Sequence, residues 1–111
     1  RVVDNGNIIY KNEYGEHHRE DGPALIWPDG TEYWFKNGEM HREDGPAAIW
    51  SDGAEYWYKN GEIHREDGPA IIFTDGTKVW CLKGEVYSFN DWIEIVNLNE
   101  EEKMELMLYY G

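Results

Sequence analysis

The sequence predicts a mainly β protein: a single-layer, twisted antiparallel meander of tandem 23-residue β-hairpin repeats, closed by a short C-terminal helical cap. Three observations predict it. His18-Arg19-Glu20-Asp21-Gly22-Pro23-Ala24 recurs unchanged as His41 to Ala47 and as His64 to Ala70. Each copy is followed by an apolar run and then, in fixed phase, by an Asp-Gly pair and an Asn-Gly pair, the last of which is replaced by Lys83-Gly84. After Tyr87 the period stops and apolar residues take helical spacing. An internal period decides the fold of such a chain, because each unit can bury its apolar face only against its neighbours.

The elements follow in order. A partial unit over residues 5–17 has Tyr10, Gly15 and Glu16 in phase, and full units run near 18–40, 41–63 and 64–87. In each full unit the first strand is Leu25-Ile26-Trp27, Ala48-Ile49-Trp50 or Ile71-Ile72-Phe73. Asp29-Gly30, Asp52-Gly53 and Asp75-Gly76 give the hairpin turn, since both residue types tolerate the positive φ of tight turns. The second strand carries Trp34, Trp57 and Trp80 in register, and Asn37-Gly38 and its mates turn the chain again. Pro23, Pro46 and Pro69 stand at strand starts, where a missing N–H costs least.

Register decides the faces. With an even number of residues in the Asp-Gly loop, Trp27 lies opposite Glu32, Leu25 opposite Trp34, Ile26 opposite Tyr33 and Ala24 opposite Phe35. One face then carries Ala24, Ile26, Tyr33, Phe35, Ala47, Ile49, Tyr56, Tyr58, Ala70, Ile72, Val79 and Cys81, and is assigned to the core. The other carries Leu25, Trp27, Glu32, Trp34, Lys36 and their repeat mates, mixes Trp with charge, and is expected to be partly exposed. A three-residue loop with a bulge would flip one strand and undo this division. Equivalent residues sit two strands apart, roughly 9–10 Å, so Trp34, Trp57 and Trp80 cannot stack directly and Trp50 and Phe73 are expected to fill between them.

The tail, residues 88–111, reads as two helices. Ser88 with Asp91 makes one start and Asn99-Glu100-Glu101-Glu102 a second, placing helices near 89–96 and 100–109. Phe89, Trp92, Ile93, Val96, Met104, Met107 and Leu108 fall at helical spacing, as expected of a cap over an open repeat end.

Composition narrows the function. The length of 111 residues argues for one domain, and 41% hydrophobic with 15% aromatic content argues for an ordered one. A formal net charge of −13 disfavours nucleic acid or an anionic membrane as a direct partner and fits either a protein partner with a basic surface or simply a soluble monomer. Cys81 is the only cysteine, so no internal disulfide forms. The start lacks the apolar stretch of a secretory leader, and no run is long enough to span a bilayer, so a cytoplasmic protein is expected. An open sheet edge near Ile8-Ile9-Tyr10 is expected to support a homodimer.

His-Arg-Glu-Asp is the sharpest chemical cluster, but identical repetition argues against catalysis, which needs a single constellation. His18, His41 and His64 lie roughly two strands apart, too far to share one metal ion with bonds near 2 Å. The block reads as turn hardware, with Arg pairing Glu or Asp and Asp capping backbone donors beside Gly. Cys81 reads as a buried thiol, with no helix start or basic neighbour to activate it. No phosphate loop, nucleophile elbow or metal motif is present, so neither a catalytic residue nor a cofactor is expected.

Tyr33-Trp34-Phe35-Lys36-Asn37-Gly38, Gly45-Pro46-Ala47 and Trp50-Ser51-Asp52-Gly53 resemble a MORN-type repeat, over about residues 7 to 87. The chain departs from that pattern in placing Trp at or beside the strand glycine and His-Arg-Glu-Asp-Gly-Pro in the loop. In this it is similar to small MORN-like repeat proteins encoded by bacteriophages and large DNA viruses. The resemblance implies a scaffold or interaction module, and a phage-encoded one would act in the host cytoplasm.

Two functions are therefore expected. The first is a non-enzymatic interaction module that binds and inhibits a host enzyme or defence protein through Trp27, Glu32, Trp34, Trp50, Glu55, Trp57 and Trp80. The second is a small-ligand binder that stacks nucleotide bases between Trp rings, with Arg19, Arg42 and Arg65 lining a local pocket. The tail helices either leave the Trp face open or fold over it as core.

Overall fold

The computed structural model describes residues 1–111. The partial unit opens with a hairpin of β1 (Val2–Asp4) and β2 (Asn7–Ile9). The first full unit supplies β3 (Leu25–Ile26), β4 (Glu32–Tyr33), β5 (Phe35–Lys36) and β6 (Glu39–Met40). The second supplies β7 (Ala48–Ile49), β8 (Glu55–Tyr56), β9 (Tyr58–Lys59) and β10 (Glu62–Ile63), and the third β11 (Ile71–Ile72), β12 (Lys78–Leu82) and β13 (Glu85–Tyr87). Helices α1 (Phe89–Ile95) and α2 (Glu100–Tyr110) close the chain.

The protein is mainly β. Nine strands form one antiparallel meander in the order β1-β2-β3-β4-β7-β8-β11-β12-β13, while β5-β6 and β9-β10 are separate two-stranded hairpins. The meander is thus as expected, except that the Asn-Gly hairpins of the first two units leave its plane. The departure occurs at Trp34 and Trp57, where ladder partners change. Trp34 N–H donates to the Ala47 carbonyl on the meander side, while its own carbonyl accepts from His41 N–H on the side of the Asn-Gly hairpin. One residue thereby serves two sheets. In the third unit β12 runs unbroken through Trp80 and keeps its hairpin in the meander.

The hairpin register differs from the even-loop expectation. Leu25 pairs with Tyr33 and Ile26 with Glu32. Pro28, Asp29 and Gly30 form the loop, closed by Trp27 N–H to Thr31 O at 2.9 Å and Gly30 N–H to Trp27 O at 3.0 Å. Gly30 has φ +95°, as the bulge of an odd loop requires, while Asp29 accepts a bond from Thr31 N–H instead of taking positive φ. Asn37 and Gly38, at φ 49° and 83°, make the expected two-residue turn.

Each first strand is consequently flipped against its second. Leu25, Trp27 and Tyr33 share one face with Ala48, Trp50, Tyr56, Ile71, Phe73 and Val79. Ile26, Ile49 and Ile72 lie on the opposite face with Glu32, Glu55 and Lys78. The expected core face therefore keeps its second-strand Tyr33, Tyr56 and Val79 and loses its isoleucines.

The tightest packing lies at two places. Ala24, Ala47 and Ala70 are wholly buried where the two kinds of sheet meet, and Trp80, Trp92, Ile93 and Val96 form a cluster at the C-terminal end. The molecule extends 46 × 29 × 21 Å, an elongated shape set by stacking units. Ile8 and Ile9 do not form an open edge, because β2 lies between β1 and β3; the edge belongs to β1. The open edge expected at Ile8-Ile9-Tyr10 to support a homodimer is therefore not at these residues.

In the partial unit Tyr10 takes the place of Trp34, one residue off the numerical period. Its N–H donates to Ala24 O and its carbonyl accepts from His18 N–H, the pair of bonds that Trp34 makes. The extra residue is absorbed in the turn Asn12 to Glu16, where Asn12 Oδ1 accepts from Tyr14 and Glu16 N–H and Gly15 takes φ +81°.

Both helix starts are as expected: Ser88 accepts from Asp91 N–H, and Asn99 and Glu102 form a reciprocal capping box. Trp92, Ile93 and Val96 are buried, and Phe89 packs against them. Met104, Met107 and Leu108 do not join them; Leu106 and Tyr110 pack inward instead.

Candidate functional site

The repeated block staples each unit to the next. Arg42 lies flat on Trp34, its guanidinium carbon 3.8 Å from the ring centroid, with Arg65 on Trp57 and Arg19 on Tyr10 at 4.0 Å. The same side chain donates from Nε to Asp44 at 2.9 Å and from Nη1 to Pro46 O at 3.1 Å. That hydrogen bond and the Arg42 charge hold the Asp44 carboxyl below its ordinary range. Arg42 N–H donates to Tyr58 O within its own unit, so the side chain that reaches back to Trp34 is anchored by its backbone to the following hairpin. His41 Nδ1 accepts from Asn60 N–H at 3.0 Å, so its proton sits on Nε2 and is directed at Glu43, 2.6 Å away.

The expected turn hardware is present with its partners redistributed. Arg pairs with Asp, and Glu belongs to His. The capping aspartates are those of the other loop: Asp29, Asp52 and Asp75 accept from Thr31, Ala54 and Thr77 N–H. Backbone and hydroxyl donors of Thr31 lower Asp29, and those of Thr77 lower Asp75.

The glycine of the block has a packing role. A Cβ on Gly45 would fall 2.9 Å from Arg42 Cζ, and Gly22 and Gly68 meet Arg19 and Arg65 in the same way. The glycine thus leaves room for the guanidinium to lie flat.

The seven residues expected to form one binding face occupy four environments. Trp27 and Trp50 are on the aromatic face and remain 45% and 46% exposed. Glu32 and Glu55 point to the other side of the sheet. Trp34 and Trp57 are half-buried beneath Arg42 and Arg65, and Trp80 is buried under the tail. Trp50 and Phe73 do not fill between the latter rings; Trp50 stacks on Tyr56 at 5.5 Å and Phe73 meets the same Tyr56 edge-on at 6.2 Å.

What the structure does bring together is an aromatic strip. Trp27 lies 6.3 Å from Tyr33, Tyr33 6.5 Å from Phe35, and Trp50 and Phe73 flank Tyr56. Burial and the neighbouring Tyr56 and Tyr33 rings raise the Tyr58 hydroxyl above its ordinary range. Phe73, 37% exposed, extends the strip and was missed as a site residue although it shares the phase of Trp27 and Trp50.

The tail covers only the last Trp. Trp92 packs on Trp80 with centroids 4.7 Å apart, Phe89 and Tyr110 complete the enclosure, and Trp92 Nε1 donates to Arg65 O. The helix thus takes the place that an arginine of a following unit would fill.

Grooves of about 370 and 390 Å³ run between successive blocks, each with a Trp, two Arg and several carboxylates on its walls. The ring face a stacked base would need is taken by the Arg on Trp34 and on Trp57. No three His, Cys, Asp or Glu side chains converge in a way that could hold a metal ion. Cys81 is buried, and burial raises its thiol, which disfavours the reactive thiolate. No helix is long and apolar enough to cross a membrane.

Comparison with known protein families, curated proteins and solved structures finds no match.

Proposed function

We propose that this chain is a non-enzymatic protein-interaction module that seats a basic partner on the strip of Trp27, Trp50 and Phe73. The observation that carries the reading is their exposure in register on one sheet face, over a floor of Tyr33 and Tyr56. Large rings held by a rigid ladder bury area on binding with little loss of rotamer freedom. The net charge of −13 steers a basic partner toward the molecule and opposes a second copy of itself. Unit-to-unit staples keep the rings in fixed spacing, so the strip is organised before binding.

The resemblance to MORN-like repeat proteins of phages and large DNA viruses adds the class of partner. On this reading the partner is a host enzyme or defence protein, met in the host cytoplasm and inhibited by occupation of its basic surface.

Affinity capture from host lysate, read by mass spectrometry, tests the proposal. The intact chain is expected to retain a defined basic protein, and Trp27→Ala with Trp50→Ala to lose it. Equal recovery by both forms would remove the strip from the account.

A further inference from the structure

Helix α2 carries apolar residues on two stripes, one packed on the cap and one exposed. Lys103, Leu106 and Tyr110 turn toward the cap, and no residue of the helix is fully buried. On the other side Met104, Met107 and Leu108 stand at i, i+3 and i+4 and are 63%, 52% and 85% exposed. Three large apolar side chains on one uncovered stripe are more than capping requires. The capping box fixes the start of the helix and Tyr110 fixes its end against Trp80, so the stripe is held in place without a partner.

We infer that this outer face of α2 is a second docking surface, which takes an amphipathic helix carrying Lys or Arg beside its apolar stripe. Charge complementarity selects that occupant. Glu100, Glu101 and Glu105 flank the stripe on the exposed side, and the helix has no basic residue in its last turn. A second copy would bring the same carboxylates into opposition, with 13 net negative charges on each chain. An anionic membrane is disfavoured by the same charge. A basic amphipathic helix pairs with the glutamates and lays its apolar residues over Met104, Met107 and Leu108, whose two methionines adapt to differing side-chain shapes. This inference does not depend on the aromatic strip, which lies on another part of the molecule.

The probe is a fluorescein-labelled synthetic Leu/Lys peptide of about 18 residues, five helical turns with leucine on one face. A control peptide has the same composition with leucine scattered around the helix. Anisotropy is expected to show binding of the first peptide, and binding of the control at least about tenfold weaker. Met104→Glu with Leu108→Glu is expected to weaken the first peptide about tenfold or more, equal to about 1.4 kcal/mol. Trp27→Ala with Trp50→Ala is expected to leave it unchanged. On the unaltered protein, the peptide should slow peroxide oxidation of Met104 and Met107 but not of Met40, which keeps the test independent of variant folding. Equal binding of both peptides, absence of binding, or unprotected Met104 and Met107 would overturn the inference. So would sedimentation of the intact chain as a dimer that the Met104→Glu, Leu108→Glu pair dissociates, since the occupant would then be a second copy.

Discussion

Arg42 and Trp34 form a stacked pair, guanidinium carbon 3.8 Å above ring centroid, and the pair recurs as Arg65 on Trp57 and Arg19 on Tyr10. It explains the most repeated residues of the chain. Glycine clears the space, aspartate and the proline carbonyl hold the guanidinium edge, and the arginine backbone bonds the second strand of its own unit. The block is a device for joining units, and Trp92 on Trp80 ends the series.

Removing the stack should loosen the joint between units. Arg42→Ala is expected to cost about 2 kcal/mol, from a partly desolvated cation–π contact and the Pro46 hydrogen bond. Arg42→Lys should recover less than half, because an ammonium cannot lie flat and bond sideways at once. Urea unfolding measures both; a loss below a few tenths of a kcal/mol for Arg42→Ala would contradict the stapling role.

The glycine and arginine should be coupled. Gly45→Ala is expected to cost about 1–2 kcal/mol through displacement of the guanidinium, and close to nothing beyond Arg42→Ala alone. Gly30→Ala, at φ +95° with no neighbour in reach, should cost about 1 kcal/mol in either background. A double-mutant cycle by urea denaturation separates the packing glycine from the conformational one.

Acid should weaken the joint. The folded-state pKa of Asp44 is lowered by Arg42, so its contribution is present above the unfolded value of about 3.9 and is lost as pH falls through the lower folded value. Asp44→Asn should therefore reduce stability at neutral pH and flatten the acid limb below about pH 4. Melting temperature against pH for the two proteins checks the sign.

The tail should be required by the last unit. Trp92→Ala removes the ring that closes Trp80 and is expected to cost about 3–5 kcal/mol. Hydrogen exchange should rise first in β11 to β13 and helix α1, and last in β3 and β4, because a repeat array loses stability from an uncapped end. Uniform loss of protection along the chain would argue against a local cap.

The sequence carried the architecture because His18, His41 and His64 and the two turn pairs recur in strict phase. It did not carry the parity of the Asp-Gly loop. Asp-Gly serves two-residue and three-residue hairpins alike, and a shift of one flips every side chain on one strand. Pro28 held the missing signal: its fixed negative φ suits the first corner of a longer loop built on a type I turn. The Arg42–Trp34 stack was hidden by its reach across a turn, since neither residue is adjacent to the other on a strand. In α2, apolar residues fall on two stripes, and spacing alone did not say that Leu106 and Tyr110 rather than Met104, Met107 and Leu108 face the cap.

The binding claim is tested most directly by oxidative footprinting of the chain alone and in complex with the protein it captures. Trp27, Trp50 and Phe73 are expected to lose most of their labelling in the complex, while Trp34 and Trp57, already covered by arginine, change little. Full labelling of Trp27 and Trp50 in a saturated complex would contradict it.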